Sequence, residues 1–226
     1  MYKFIFPLFG LLFLTTSCRQ AYVAQNFEEE TTDHSVVAIL PYHIEYIGKL
    51  PNNWTQERED QLRAEESVVY QRSLINQVFR RMRFQGRNSR VDLQAVATTN
   101  SRLTEAGITL SEAYQRDPEY LASVLEVDAV FQVTAVKDRQ MSELASAAVE
   151  VAGDLLANLS NNPLTGLANR NQTHIIDVAI DLYDREGQVL YHDNAEIGIS
   201  WRTPTNEAVE ILNRRVSRTF PYRYNN

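Results

Sequence analysis

Residues 117–136 read DPEYLASVLEVDAVFQVTAV. Asp117 is a natural N-cap, and Pro118 fits the first helical position, where a missing N–H costs nothing. The spacing predicts a helix over PEYLASVLE that runs straight into a strand, VDAVFQVTAV, residues 127–136. Downstream, THIIDVAIDLY (173–183) alternates cleanly, with Ile176, Val178, Ile180 and Leu182 on one face and Asp177, Ala179 and Asp181 on the other. Asp184 to Gly187 is a hairpin turn with glycine where positive φ is tolerated, and 188–200 is the return strand.

Upstream, Val36 to Leu40 is a continuous apolar run, the mark of a buried strand, with Pro41 at or beyond its end. Thr55 caps a long helix, Gln56 to Phe84, free of Gly and Pro, with a stripe of Val68, Ile75, Val78, Phe79 and Met82. It begins acidic and ends basic, as the helix dipole favours. Residues 90–98 read as a second strand, and Asn100 or Thr99 caps a short helix closed by Gly107. Residues 139–160 read as an amphipathic helix, and roughly 205–219 as the last one. Strands separated by helices imply an α/β fold. We expect a single domain: a mixed, mostly parallel sheet of about five strands covered by helices, with a closing antiparallel hairpin.

The chain has 226 residues, 44% apolar and 23% charged, enough for one domain with a real core. Eight Gly and seven Pro exclude collagen and bulk disorder. A formal charge of −7 gives no global attraction to nucleic acid, and none is expected as a partner. The one cysteine excludes an intrachain disulfide and a cysteine-based zinc site.

That cysteine has a context. In MYKFIFPLFGLLFLTTSC, Lys3 precedes an apolar run, Phe4 to Leu14, too short to span a membrane, which needs roughly 20 residues. Thr15, Thr16 and Ser17 then precede Cys18. This is an export signal ending in small residues, and it resembles a bacterial lipobox, with the usual leucine displaced by one position to Leu14. The resemblance implies diacylglyceryl transfer to Cys18, cleavage before it, and acylation, such as palmitate, on the new amino terminus. The expected divisions are a signal peptide over 1–17, a flexible tether over 18–34 and the folded domain over 35–226. Arg19, not aspartate, follows the cysteine, which by resemblance to proteobacterial sorting implies the outer membrane facing the periplasm.

Three stretches add up further: ILPY after the first buried strand, SRLTEAGIT after the second, and Asp128-Ala129-Val130 at the helix-to-strand join. In this order and spacing they resemble the periplasmic lipoprotein superfamily containing the amino-terminal domain of TolB, the peptidoglycan-synthase activator LpoB and the curli-secretion lipoprotein CsgG. The resemblance covers roughly 36–200. It implies a mixed sheet with helices and a non-enzymatic role in envelope assemblies. Of the two places for pore-forming insertions, 47–67 is heavily charged and 137–172 has helical, Ala-rich periodicity, so a self-contained β-barrel is not expected.

Chemistry is sparse. GxSxG, GxxxxGKS, GxGxxG and HExxH are absent. The histidines are His34, His43, His174 and His192. Once the hairpin forms, His174 and His192 could approach, and with Asp177 or Asp193 a two-histidine, one-carboxylate metal site is imaginable. No third ligand has diagnostic spacing, so solvated strand-end histidines are the expectation, with no metal, no cofactor and no catalytic residue. Nineteen of the 22 basic side chains are arginines, and Arg80, Arg81, Arg83, Arg87 and Arg90 lie close together. They suit an anionic partner, although dipole complementarity at a helix end together with a solvated loop is the favoured explanation. In the tail, Phe220, Tyr222 and Tyr224 fit either interface anchors or packing on the sheet. Leu144, Ala148, Val151, Ala152 and Leu155 mark an interaction helix for a partner or second copy, or else a crossover covering the sheet. The expected function is a membrane-anchored, non-enzymatic binding or assembly module with envelope protein partners. The alternatives are an oligomeric subunit of an export or secretion complex and, more remotely, a metal-binding hydrolase.

Overall fold

Ala129–Arg139 is the strand on which the sheet is built. The computed structural model describes residues 21–48, 54–84, 90–139, 172–200, 203 and 205–222. In chain order these form β1 (Tyr22–Val23), α1 (Phe27–Glu30), β2 (Val36–Ile39), β3 (His43–Gly48), α2 (Gln56–Phe84), β4 (Asp92–Leu93) and α3 (Val96–Glu105). A 3₁₀ turn (Ala113–Gln115), α4 (Pro118–Leu125), β5 (Ala129–Arg139), β6 (Gln172–Asp184), β7 (Val189–Ser200) and α5 (Thr205–Val216) follow. The result is a mixed α/β domain on one open sheet, ordered β1-β7-β6-β5-β2-β4, with β3 pairing β5 beyond β2. The β2, β3, β4 and β5 pairs are parallel; β5–β6, β6–β7 and β1–β7 are antiparallel.

Alternation along β5 separates two cores. Ala129, Phe131, Val133 and Ala135 join Ile176, Val178, Ile180 and Leu182 beneath Tyr70, Leu74 and Val78 of α2 and Val209, Leu212 and Val216 of α5. On the opposite face Val130, Ala38 and Leu40 pack against Leu103 of α3 and Leu121 and Leu125 of α4. The Asp117 carboxylate accepts from the amides of Glu119 and Tyr120 at 2.9 and 3.2 Å, so α4 starts where its cap dictates. Thr55 does the same for α2 through the Arg58 amide, at 3.2 Å. Gly187 closes the hairpin at φ 77°, with the Asp184 carboxylate accepting from the Glu186 and Gln188 amides at 3.0 and 2.7 Å.

The sheet has seven strands where five were expected. One addition is β3, which continues β2 along the same edge of β5. The register slips by one residue between Ile39↔Phe131 and His43↔Thr134, around Pro41. That slip takes two backbone groups out of the ladder and turns them toward α2. The Gln71 side chain donates to the Ile39 carbonyl at 2.7 Å, and the Tyr42 amide donates to the Ser67 carbonyl at 3.2 Å. The Tyr42 hydroxyl donates to Asn213 of α5, whose own amide donates to the Tyr70 carbonyl at 3.0 Å. Tyr42, Ser67, Gln71 and Asn213 are all fully buried.

Four local readings need correction. The second strand spans only Asp92–Leu93, and α3 begins at Val96, with Ala95 rather than Thr99 or Asn100 at its cap. Gln94 leaves the sheet because its side chain donates to the Leu125 carbonyl at 2.8 Å and accepts from Thr99 at 2.8 Å. The buried stripe of α2 is Ser67, Tyr70, Gln71, Leu74, Ile75 and Val78, while Phe79 is 46% exposed. Arg139 belongs to β5, so no helix begins there, and 140–171 lies outside the described residues. Finally, the tether expected over 18–34 is folded from Ala21 onward: β1 pairs with β7 and Phe27 is buried.

The buried network predicts that Tyr42→Phe costs about 1–2 kcal/mol and Asn213→Ala on the order of 3 kcal/mol in urea denaturation, because each leaves a buried polar partner unsatisfied. Wild-type stability in both variants would show that these bonds do not hold α5 to α2.

Candidate functional site

The helix-to-strand join places Asp128 where three chain segments meet. Its carboxylate accepts from the Ser35 amide at 2.8 Å, the Ser35 hydroxyl at 2.8 Å and the Val36 amide at 3.0 Å, and it pairs with Arg185 of the hairpin turn. Burial alone would raise this carboxyl. The donors from Ser35 and Val36 together with the Arg185 charge outweigh it and hold the group at about 2. A carboxyl held ionised this firmly is a clamp, not an acid that trades protons near neutrality. Beside it, Glu119, Ser123, Glu126 and Arg185 line an open cleft of about 420 Å³. His34 donates to or accepts from the Tyr222 hydroxyl at 2.6 Å, and burial lowers its pKa against the pull of Asp128.

A second charged cluster lies between β5 and α2. Lys137 pairs with Glu66, which also accepts from the Tyr46 hydroxyl at 2.7 Å, and the ammonium lies 4.9 Å from the Tyr70 ring centre and 5.4 Å from that of Tyr46. Burial would lower the Lys137 pKa, but Tyr70 and Glu66 raise it overall. A lysine acting as a general base or nucleophile needs the opposite shift. Lys137 therefore serves as a fixed cation between the layers.

The residues singled out from sequence fall in different places. Arg81 donates to Ser217 of the α5 end at 3.1 Å, and Arg90 pairs with Glu28 at 2.6 Å while donating to the Thr31 carbonyl at 2.7 Å. Arg80 is exposed, and the Arg83 side chain and Arg87 lie outside the described residues. Register separates the two strand histidines: His174 stands opposite Ile199, and His192 opposite Asp181. Those positions are seven residue steps apart along β7, on the order of 23 Å, so the imagined approach of His174 and His192 does not occur. His192 instead contacts Asp181 at 2.7 Å. Phe220 and Tyr222 are buried, with ring centres 5.4 Å from Phe131 and 5.9 Å from Phe27 respectively, so these tail aromatics pack on the sheet. Cys18 and the Leu144–Leu155 helix lie outside the described residues.

One feature escaped the sequence altogether. Between β1 and the end of α5 runs an open groove of about 550 Å³, lined by Ala21, Val23, Phe27, Arg215, Arg218 and Pro221. Its two walls are almost 200 residues apart in the chain, and no local motif announces it. Among the described residues, no group of three or more His, Cys, Asp or Glu could hold a metal, and no helix is long and apolar enough to cross a membrane.

No family model matches this chain, and no curated protein matches it. Among solved structures, lipoprotein GNA1162 from Neisseria meningitidis is similar over 82% of this chain and 95% of its own, at 12% identity and a TM-score of 0.39. The LpoB C-terminal domain from Salmonella enterica is similar over 76% and 93%, at 10% identity and a TM-score of 0.35. A PDZ domain protein from Parabacteroides distasonis is similar over 91% of this chain and 36% of its own, at 11% identity and a TM-score of 0.31. Likeness this low carries no argument. The class defined by the fold itself is a one-sheet, mixed α/β domain with helices on both faces.

The Asp128 geometry gives a pH prediction. Its folded pKa lies below the ordinary carboxyl value of 3.8, so its contribution to stability is complete above that value and is lost as pH falls toward about 2. Asp128→Ala should cost on the order of 3 kcal/mol near neutrality, since it strands the Ser35 and Val36 amides. Urea titrations should show the gap from wild type narrowing between pH 4 and pH 2. A gap independent of pH would refute the clamp.

Proposed function

We propose that this chain is a lipid-anchored envelope protein whose domain is a non-enzymatic binding or assembly module, held through Cys18 at the outer membrane on its periplasmic side. One observation carries the module reading: the route of the chain from β5 to β6. These strands are antiparallel neighbours, paired from Ala129↔Asp184 to Arg139↔His174. Antiparallel neighbours need only a short turn between them; a covering crossover is required only between parallel strands. The chain nevertheless spends residues 140–171 between them. Topology does not require that excursion, so a use outside the sheet ladder accounts for it. Its small-residue face, with Ala148 and Ala152 among Leu144, Val151 and Leu155, suits close packing against a partner protein or a second copy.

Two charged clusters among the described residues favour the non-enzymatic reading, since neither is set to trade protons near neutrality. Asp128 is held ionised and Lys137 is held protonated. The superfamily resemblance of the sequence points the same way.

Two expected outcomes test the proposal. Cys18→Ser should abolish incorporation of labelled palmitate and move the protein from the membrane to the soluble fraction; unchanged fractionation with processing at the same site would sink the anchor. Ala148→Asp and Leu155→Asp should leave stability within about 0.5 kcal/mol of wild type while abolishing in-envelope crosslinks to the partner. Loss of several kcal/mol would place this helix in the core instead. If the crosslinked species is a ring of this chain alone, it is an export subunit rather than an adaptor.

A further inference from the structure

The start of the fold lies very close in sequence to the acylation site. Two residues, Arg19 and Gln20, separate Cys18 from Ala21, and the three residue steps between them span at most about 11 Å in any conformation. From Ala21 on there is no slack. Tyr22 and Val23 pair with His192 and Tyr191, and the Ala24 amide donates to the Leu190 carbonyl at 3.0 Å. Phe27 is buried, and Arg90 ties down α1 through Glu28 and the Thr31 carbonyl. Resting on the reading that Cys18 carries the lipid, the surface around β1 cannot leave the headgroup layer while the anchor is inserted.

The chemistry of that surface fits the position. The groove beside β1 is flanked by Arg215 and Arg218, both exposed and neither in an ion pair among the described residues. Its carboxylates are Glu28, already paired with Arg90 at 2.6 Å, and Asp193. In a chain of net charge −7, this end carries unpaired cations. The dipole of α5 accounts for Arg215 in its last turn, but Arg218 lies beyond Val216, where the helix ends. Two further side chains need an explanation: Tyr22 and Val23 are 54% and 49% exposed on this edge strand. An exposed tyrosine beside an aliphatic residue and arginines is the composition of a membrane–water boundary.

We propose that the groove between β1 and the end of α5 is a membrane-facing surface, in which Arg215 and Arg218 take the phosphates of anionic phospholipid headgroups while Val23 and Tyr22 rest at the interface. The domain then lies flush on the leaflet that holds its anchor instead of hanging from a long tether.

The test uses the mature chain, residues 18–226, carrying Cys18→Ser, so that no acyl chain contributes. It should co-sediment with vesicles of equal parts phosphatidylglycerol and phosphatidylcholine more than with phosphatidylcholine alone, and salt should weaken the difference. Arg215→Ser and Arg218→Ser should each weaken binding roughly fivefold. Arg116→Ser, exposed on another part of the fold, should leave it unchanged. A fluorophore on Val23→Cys in this background should be quenched by lipid-borne quencher, and one on Tyr120→Cys should not. Equal binding to both vesicles, no binding to either, or indifference to both arginine variants overturns the proposal. Palmitate labelling of the wild-type chain reads the anchor separately. Labelling without phosphatidylglycerol dependence sinks only the groove; dependence without labelling sinks only the anchor.

Discussion

The one-residue slip beside Pro41 is the constraint on which the rest of the packing depends. Pro41, between the end of β2 and the start of β3, cannot donate to the ladder, and the extra residue it accompanies frees the Ile39 carbonyl and the Tyr42 amide. Buried and unpaired, each would cost on the order of 1–3 kcal/mol. α2 satisfies both, through the Gln71 side chain and the Ser67 carbonyl. Those two contacts fix the rotation of α2 about its axis, which apolar packing alone would leave loosely set. The Tyr42 hydroxyl and Asn213 then fix α5 to α2. A hydrophobic layer thus acquires its orientation from a few polar bonds, each with one satisfactory geometry.

The same interaction explains what was legible in the sequence. Features governed by neighbours in the chain could be read directly: the Asp117 and Thr55 caps, the alternation from Ile176 to Leu182, the Gly187 turn and the ends of α2. Features governed by distant partners could not. Ser67 and Gln71 interrupt the apolar periodicity of α2 because they serve the slip at Pro41, and so the stripe was drawn one step round the helix and included the exposed Phe79. β4 stops after two residues because Gln94 is claimed by the Leu125 carbonyl. β1 is only two residues long and has no pattern to read.

The candidate site divides in the same way. The lipobox reading at Cys18 rests on a local motif alone, and Cys18 lies outside the described residues. Asp128 was noticed at the helix-to-strand join, but its role depends on Ser35 and Arg185, 93 and 57 residues away. The arginine run from Arg80 to Arg90 could be read as a surface for anions or as dipole complementarity at a helix end, because local sequence does not say which side chains meet distant partners. In the fold Arg81 holds the end of α5 and Arg90 holds α1, while Arg215 and Arg218 beside β1 are in no ion pair among the described residues.

These placements give the molecule two ends. β1 pairs with β7 at Tyr191 and His192, next to the hairpin turn, whereas the excursion over 140–171 leaves from Arg139 and returns at Gln172, opposite Ser200. His192 and Ser200 are eight residue steps apart along β7, a rise of roughly 27 Å. The start of β1 and the root of the excursion therefore stand at opposite ends of the sheet, and the stiffness of the β6–β7 ladder maintains that separation. Pairing of Tyr22 and Val23 with Tyr191 and His192 locks the first described residues to one end of that ladder, so a short edge strand with little packing of its own sets where the chain enters the fold.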